Sequence, residues 1–288
     1  MKRLLLAFVL CLCCTGWARA AYDIIDDSGY STRFETAPAR VISLLPSLTE
    51  TLCALGACDR LVGVDRYSDW PPQVRALPQL GGGLDPSIEA VVALRPDVVF
   101  MGVSSRASAR LRDLGLKVVT LEPHTLAGMR RVIRRLAATL QVHGATALIA
   151  KIDAGIAAAA RLVPADVRGE RVYFEVSPAP YAAGRDSFVG ELLHEIGLTN
   201  IIGAGLGPFP KINPELVVRA NPDLIMVSGE SAAELARRPG WSHIRALQDG
   251  AVCIFNAAQR NILVRPGPRT PEAARLMAEC AAHPAAFR

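Results

Sequence analysis

The sequence predicts an α/β protein of two parallel-sheet lobes, joined by one long backbone helix, with a cleft between them. Three observations predict it. Val- and Ile-rich runs of strand length alternate with segments of helical spacing. One phrase is written twice, SIEAVVALRPDV at 87–98 and NPELVVRANPDL at 213–224. Between the copies, residues 126–162 are rich in Ala, Arg and Leu, a composition that favours helix.

The chain opens MKRLLLAFVLCLCCTGWARA, with two basic residues, an apolar run too short to span a bilayer, and a small-x-small site at Ala18–Ala20. This predicts an export signal over 1–20, cut after Ala20. The alternative is a lipoprotein anchor on Cys11, Cys13 or Cys14, but large residues precede two of them. Removing Lys2, Arg3 and Arg19 from 32 basic residues against 27 acidic ones leaves the exported chain near neutrality. That balance carries no footprint of nucleic-acid binding. Four cysteines remain, Cys53, Cys58, Cys253 and Cys280, and an oxidising compartment permits disulfides among them. Three pairings are possible. Cys53–Cys58 with Cys253–Cys280 is the expected one, and free buried thiols are the alternative.

RVISLL (40–45) reads as the first strand, and PSLTETLCALG as a helix capped by Ser47, with Glu50 closing a capping box and Gly56 stopping it. LVGVDRY (61–67), DVVFMG (97–102) and KVVTLE (117–122) supply three more strands, with a helix near 105–114. Residues 21–143 thus form an N-terminal lobe, and 144–165 the connecting helix. The pattern restarts in 166–288 with the strand RVYFEV (171–176), a helix in 187–202 ended by Gly197, the strand AVCIFN (251–256) and a last helix from Pro271.

In the repeated phrase, Ser87 and Asn213 are N-caps, and Glu89 and Glu215 fall in the first helical turn. The bland role of such a Glu is to complement the helix dipole. The sharper one is a two-pronged docking surface, one carboxylate per lobe, each receiving an Arg of a dimeric membrane partner.

RVISLLPSLTETLCALG, VGVDRYSDWPPQ, DPSIEAVVALRPDVVF, NPELVVRANPDLIMVSG and VRPGPR together resemble the helical-backbone class of periplasmic solute-binding proteins, most closely its cobalamin-binding members. The resemblance covers nearly all of the exported chain. It implies a monomer without resident cofactor or enzymatic activity that delivers a metal chelate to an ABC importer, docking on the permease dimer through Glu89 and Glu215. It favours cobalamin or another corrinoid; a ferric siderophore or haem is the alternative, because GGGLD and MGVSS stand where aromatic rings are expected.

Ligands of open α/β sheets collect beyond the carboxyl ends of the strands. There the chain offers Tyr67 and Trp70, whose rings can lie flat on a macrocycle, and Gly82 in the Gly81–Gly83 turn. The resemblance adds Tyr181 and Phe209, and Arg265 and Arg269 from the loop QRNILVRPGPR. Ordinary loop packing, or a solvated basic loop, is the alternative for each. The cleft reading sets the two acidic tips away from the ring-bearing loops. The five histidines are scattered, so no metal site is expected, and no G-x-S-x-G, P-loop or H-E-x-x-H motif points to an exported enzyme.

Overall fold

A computed structural model describes residues 20–178 and 180–287. The expected export signal and Cys11, Cys13 and Cys14 lie outside these residues. Among the described residues no helix is long and apolar enough to cross a membrane.

The chain begins with a hairpin that the sequence reading did not find, β1 (Tyr22–Ile25) antiparallel to β2 (Ser31–Phe34). Its turn is closed by Asp26, whose Oδ1 accepts from Ser28 N and Tyr30 N at 2.9 Å, while Gly29 takes φ +82°. The other oxygen of Asp26 accepts from Thr120 N and from Arg112, which ties the hairpin to the first sheet. That sheet comprises β3 (Val41–Ser43), β4 (Leu61–Val64), β5 (Val98–Met101) and β6 (Val118–Thr120), all parallel, in the order β4-β3-β5-β6.

The second sheet comprises β7 (Arg171–Ser177), β8 (Tyr181–Ala182), β9 (Thr199–Asn200), β10 (Leu224–Ser228) and β11 (Val252–Phe255). Its parallel strands run β9-β7-β10-β11, and β8 adds antiparallel to β7. Each lobe therefore repeats one order: second, first, third, fourth. β8 and β9, two residues each, are absent from the sequence reading, which ended the preceding helix at Gly197 and placed no strand after it.

The helices are α1 (Pro46–Ala54), α2 (Ile88–Ala93), α3 (Ala107–Asp113), α4 (Leu126–Leu140), α5 (Ala145–Ala160), α6 (Phe188–Glu195), α7 (Pro214–Ala220), α8 (Gly229–Ala232), α9 (Arg245–Gln248), α10 (Ala257–Leu263) and α11 (Thr270–Ala282). α4 and α5 carry the chain from the first sheet to the second. The break between them falls where Gln141 and Gly144 take left-handed backbone, φ 52° and 104°. α5 is about 24 Å long at 1.5 Å per residue. It buries Ile149, Ile152, Ile156 and Ala159 along one stripe. It also packs so closely on α11 that a Cβ on Gly155 would stand 2.4 Å from Pro271 Cβ.

The repeated phrase occupies equivalent places to the level of single hydrogen bonds. Arg95 and Asn221 end their helices at φ 44° each. The next Asp then secures the start of the neighbouring strand: Asp97 Oδ2 accepts from Arg40 N at 2.8 Å, and Asp223 Oδ2 from Arg171 N at 3.0 Å. Arg40 and Arg171 return guanidinium hydrogen bonds to the helix-end carbonyls of Leu94 and Asn221.

Cys53 is bonded to Cys58, and Cys253 on β11 to Cys280 on α11. The second bridge closes a loop of 27 residues against 5 for the first. Loop-closure entropy makes the longer one worth about 3.5 kcal/mol and the shorter about 2 kcal/mol. Replacing both members by Ser, pair by pair, and comparing denaturant midpoints should show the Cys253–Cys280 loss as the larger.

Candidate ligand cleft

Two expectations about α1 change. Its N-cap is Leu45, with Pro46 at the first helical position, so Ser47 already lies inside the helix, buried, and caps nothing. Glu50 closes no capping box. It turns inward, its side chain 2% exposed, to meet two arginines.

The ring-bearing loop of the first lobe follows β4, which ends at Val64 because Asp65 starts a turn. The Asp65 carboxylate accepts from Tyr67 N at 3.0 Å and from Ser68 Oγ, and Ser68 Oγ lies 2.8 Å from Thr49 Oγ1. Burial pushes the Asp65 carboxyl above the usual range, against the pull of these donors and of Arg265. The turn leaves Tyr67 60% exposed and Trp70 43% exposed. Gly82 lies beside this loop: a Cβ there would be 4.0 Å from Tyr67 Cε2. In the glycine turn it is Gly83 that tolerates no side chain, since its Cβ would meet Leu44 O at 2.4 Å.

In the second lobe, Tyr181 on β8 and Phe209 are each 40% exposed. Their loops are laced together, Ala182 N donating to Pro210 O at 3.1 Å and Gly184 N to Pro208 O at 2.9 Å. Both rings thereby share one rim. A Cβ on Gly184 would collide with Gly207 O at 2.4 Å, so this lacing requires glycine. Four large rings stand half out in water at the carboxyl ends of two sheets, where ligands of open α/β sheets collect.

Arg265 and Arg269, expected as direct ligand contacts, are largely withdrawn from water and paired with carboxylates of the first lobe. Arg265 Nη1 donates to Glu50 Oε1 at 3.1 Å and to Asp69, and Nη2 to Tyr67 O at 2.9 Å. Arg269 grips Glu50 through Nε at 2.8 Å and Nη2 at 2.6 Å, with its guanidinium 5.1 Å from the Trp70 ring. The physical reason is charge. Glu50 is buried, and a carboxylate out of water persists only if cations come to it. Partial burial pushes Asp69 upward, but its hydrogen bond to Arg265 and the arginine charges outweigh this and hold it below the usual range. Sequence reasoning missed Glu50 and Asp69 as partners. The available signal was an acid on the buried face of α1 matched with arginines in a proline-stiffened loop.

Glu89 and Glu215 are both exposed, in the first turns of α2 and α7. Ser87 Oγ accepts from Ala90 N at 3.2 Å, and Asn213 Oδ1 from Glu215 N at 3.0 Å. Among the described residues no ion pair engages either carboxylate. Their position overturns the separation from the rings on which the sequence reading rested their docking role. Ser87 N donates to Leu80 O next to the glycine turn, and Lys211 and Ile212, just before α7, pair with Tyr181 and Pro180. Both glutamates therefore lie at the ring-bearing end. A helix that returns the chain to a parallel strand runs against the strands, so its first turn falls at their carboxyl ends.

Two surface hollows among the described residues, of about 830 and 620 Å³, involve none of these rings; one lies against α11 and the other between α4 and α6. Among the described residues no group of three or more His, Cys, Asp or Glu could hold a metal ion.

The uncharacterized ABC transporter substrate-binding lipoprotein YvrC of Bacillus subtilis is 29% identical over 271 residues, covering 89% of this chain and 84% of that one. The periplasmic vitamin B12 binding protein BtuF of Vibrio cholerae superposes with a TM-score of 0.72 at 25% identity, covering 86% of this chain and 98% of that one. The periplasmic heme-binding protein BhuT, in complex with two hemes, superposes with 0.72 at 27% identity, covering 84% and 97%. Residues 41–258 match the family model for periplasmic binding proteins. By that match, and with two lobes of one repeated topology, the chain belongs to the periplasmic binding protein family.

Proposed function

We propose that this protein is the exported substrate-binding component of an ABC importer for a metal chelate, with cobalamin or another corrinoid as the favoured cargo. The observation that carries the reading is the set of outward rings, Tyr67, Trp70, Tyr181 and Phe209, at the strand ends of both lobes. Flat faces of this kind bind a planar macrocycle by area rather than by specific hydrogen bonds. The chain itself performs no chemistry on the cargo, acting as a monomeric carrier without cofactor or catalytic residue. It hands the cargo to a permease dimer through Glu89 and Glu215. Export to the periplasm follows a signal cut after Ala20, and the lipoprotein relative supports the anchored alternative.

A second cargo, haem or a ferric siderophore, is favoured by charge. The Arg66 guanidinium lies 5.9 Å from the Tyr67 ring centroid, and Lys211 pairs across from Tyr181. Among the described residues neither cation has a carboxylate partner. A ring on each side with a cation beside it suits a chelate with an anionic edge.

A thermal-shift panel of cyanocobalamin, a corrinoid precursor, hydroxamate and catecholate ferric siderophores and haemin tests this. At 100 times its dissociation constant the right cargo adds about 2.7 kcal/mol of stability. A panel in which no chelate raises the melting point, while a metabolite that binds no metal does, refutes the reading.

A further inference from the structure

We propose that Glu50, Arg265 and Arg269 are positioning residues for cargo. They form a brace by which the second lobe holds the ring-bearing loop of the first, so the Tyr67–Trp70 loop is set for binding only while the lobes are together. This rests on the cargo reading above.

Every part of the brace crosses between the lobes. Arg265 and Arg269 lie between α10 and α11 of the second lobe, while Glu50 is on α1 of the first, and Tyr67, Asp69 and Trp70 are in the loop after β4. Gly267, between the arginines, packs on α1, with a Cβ there 3.5 Å from Ser47 O and Thr51 Oγ1. Glu50 is the fixed point, because its two oxygens take three guanidinium N–H groups in a site closed to water. From that anchor Arg265 extends its second nitrogen to the Tyr67 carbonyl and bonds Asp69 as well. Asn261 adds a longer contact to Asp69 at 3.4 Å. Arg269 lies against the Trp70 ring. The loop has its own support in Asp65 and Ser68, and in Arg75, whose Nε donates to Asp69 O at 2.9 Å, while the Tyr67 carbonyl, the Asp69 carboxylate and the Trp70 ring are held from across the cleft. Separating the lobes pulls the fork of Arg265 from Tyr67 and Asp69 and the guanidinium of Arg269 from Trp70 in one movement. Loss of cargo contacts and opening of the lobes are then a single event.

Trp70 and the fully buried Trp241 are the tryptophans of the exported chain, so acrylamide quenching of tryptophan fluorescence reads Trp70 without any cargo. Arg265→Met and Arg265→Lys are compared with wild type in the full exported protein. Lys keeps the charge but cannot reach Glu50 and Tyr67 O with one rigid fork. Both variants should show increased quenching. Each should bind whichever of haemin or cyanocobalamin wild type binds about tenfold more weakly, the loss typical of a hydrogen bond from a charged group. The loss should shrink when Tyr67→Ala and Trp70→Ala are already present, because the brace acts through those rings. Glu175→Ala, destabilised at a site outside the brace, should keep wild-type affinity. Wild-type quenching in both Arg265 variants overturns the brace whether or not either probe binds. Increased quenching with unchanged affinity overturns its role in binding. Failure of wild type to bind haemin and cyanocobalamin, with increased quenching in the variants, upholds the brace and counts against the macrocycle reading alone.

Discussion

Replacing Glu89 and Glu215 together by alanine should abolish cargo uptake by cells and leave cargo binding in vitro unchanged. The argument begins with what these side chains do not do. Both are exposed and neither joins an ion pair within the described chain, so their removal breaks no folded-state contact beyond the 3.3 Å hydrogen bond between Ser87 and Glu89. Each contributes at most about 0.3–1 kcal/mol through the dipole of a short helix. The melting point should therefore fall by only a few degrees. What the two carboxylates share is placement. They occupy the same turn of equivalent helices, in lobes whose strands share one order, and both sit at the ring-bearing end. A permease that receives cargo from the mouth of a cleft needs holds on both sides of that mouth, so this placement suits docking better than the far end would. Truncating one partner of a desolvated charge pair at an interface costs about 2–5 kcal/mol. Two such losses, even partly additive, remove most of a micromolar association. The single variants should each retain partial uptake, and Glu89→Arg with Glu215→Arg should be no better than the alanine pair. Radiolabelled cargo uptake, measured beside in vitro binding, decides it. Wild-type uptake by the double alanine variant removes the docking role.

Much of this was readable in the sequence because it rests on periodicity and repetition. The strands β3, β5, β6, β7, β10 and β11 are buried Val, Ile, Leu and Phe runs bounded by breakers, and the register of the two lobes is written in the recurring Pro-Asp. The hairpin β1–β2 was missed because its turn is held by one side chain, Asp26, whose second oxygen answers to residues almost a hundred positions away. β8 and β9 are too short for a two-residue period to register and exist only through pairing with β7. At the site, the rings could be located because they follow strands. The fate of the arginines could not. VRPGPR reads equally as a cleft lining or as a brace until folding brings Glu50, some two hundred residues earlier in the chain, beneath it. Glu50 itself matched a capping pattern, and only Pro46 at the first helical position shifted the cap to Leu45.

The second large effect concerns stability. Glu175→Ala should lower unfolding free energy by about 3–5 kcal/mol, the cost of leaving a buried charge without its partner. Glu175 lies within β7, two residues before its end, with a side chain wholly removed from water. It accepts from Tyr173 Oη at 2.8 Å and from both ends of the Arg238 guanidinium, at 2.6 and 2.9 Å. Arg238 also lies 4.6 Å from the ring of Trp241, which meets Tyr173 edge-on at 5.7 Å. Burial first, and then the neighbouring carboxylate, push the Tyr173 phenol far up, so it stays a donor throughout the working pH range. Alanine at 175 strands both donors, a guanidinium and a phenol, in a packed interior beneath β10 and the segment 235–243. At roughly 2–4 °C per kcal/mol for a chain near this size, the melting point should drop by about 10 °C. The pair itself is not the source of the stability, since burying two charges costs nearly what their attraction returns. Glu175→Leu combined with Arg238→Met should therefore recover the part of the loss that comes from the guanidinium, leaving the cost of the unpaired Tyr173 phenol. A double variant as unstable as Glu175→Ala would mean instead that the charges are needed in their own right to hold segment 235–243 against β7. A single variant as stable as wild type would mean that water or another residue reaches Arg238, and that the cluster is open rather than sealed.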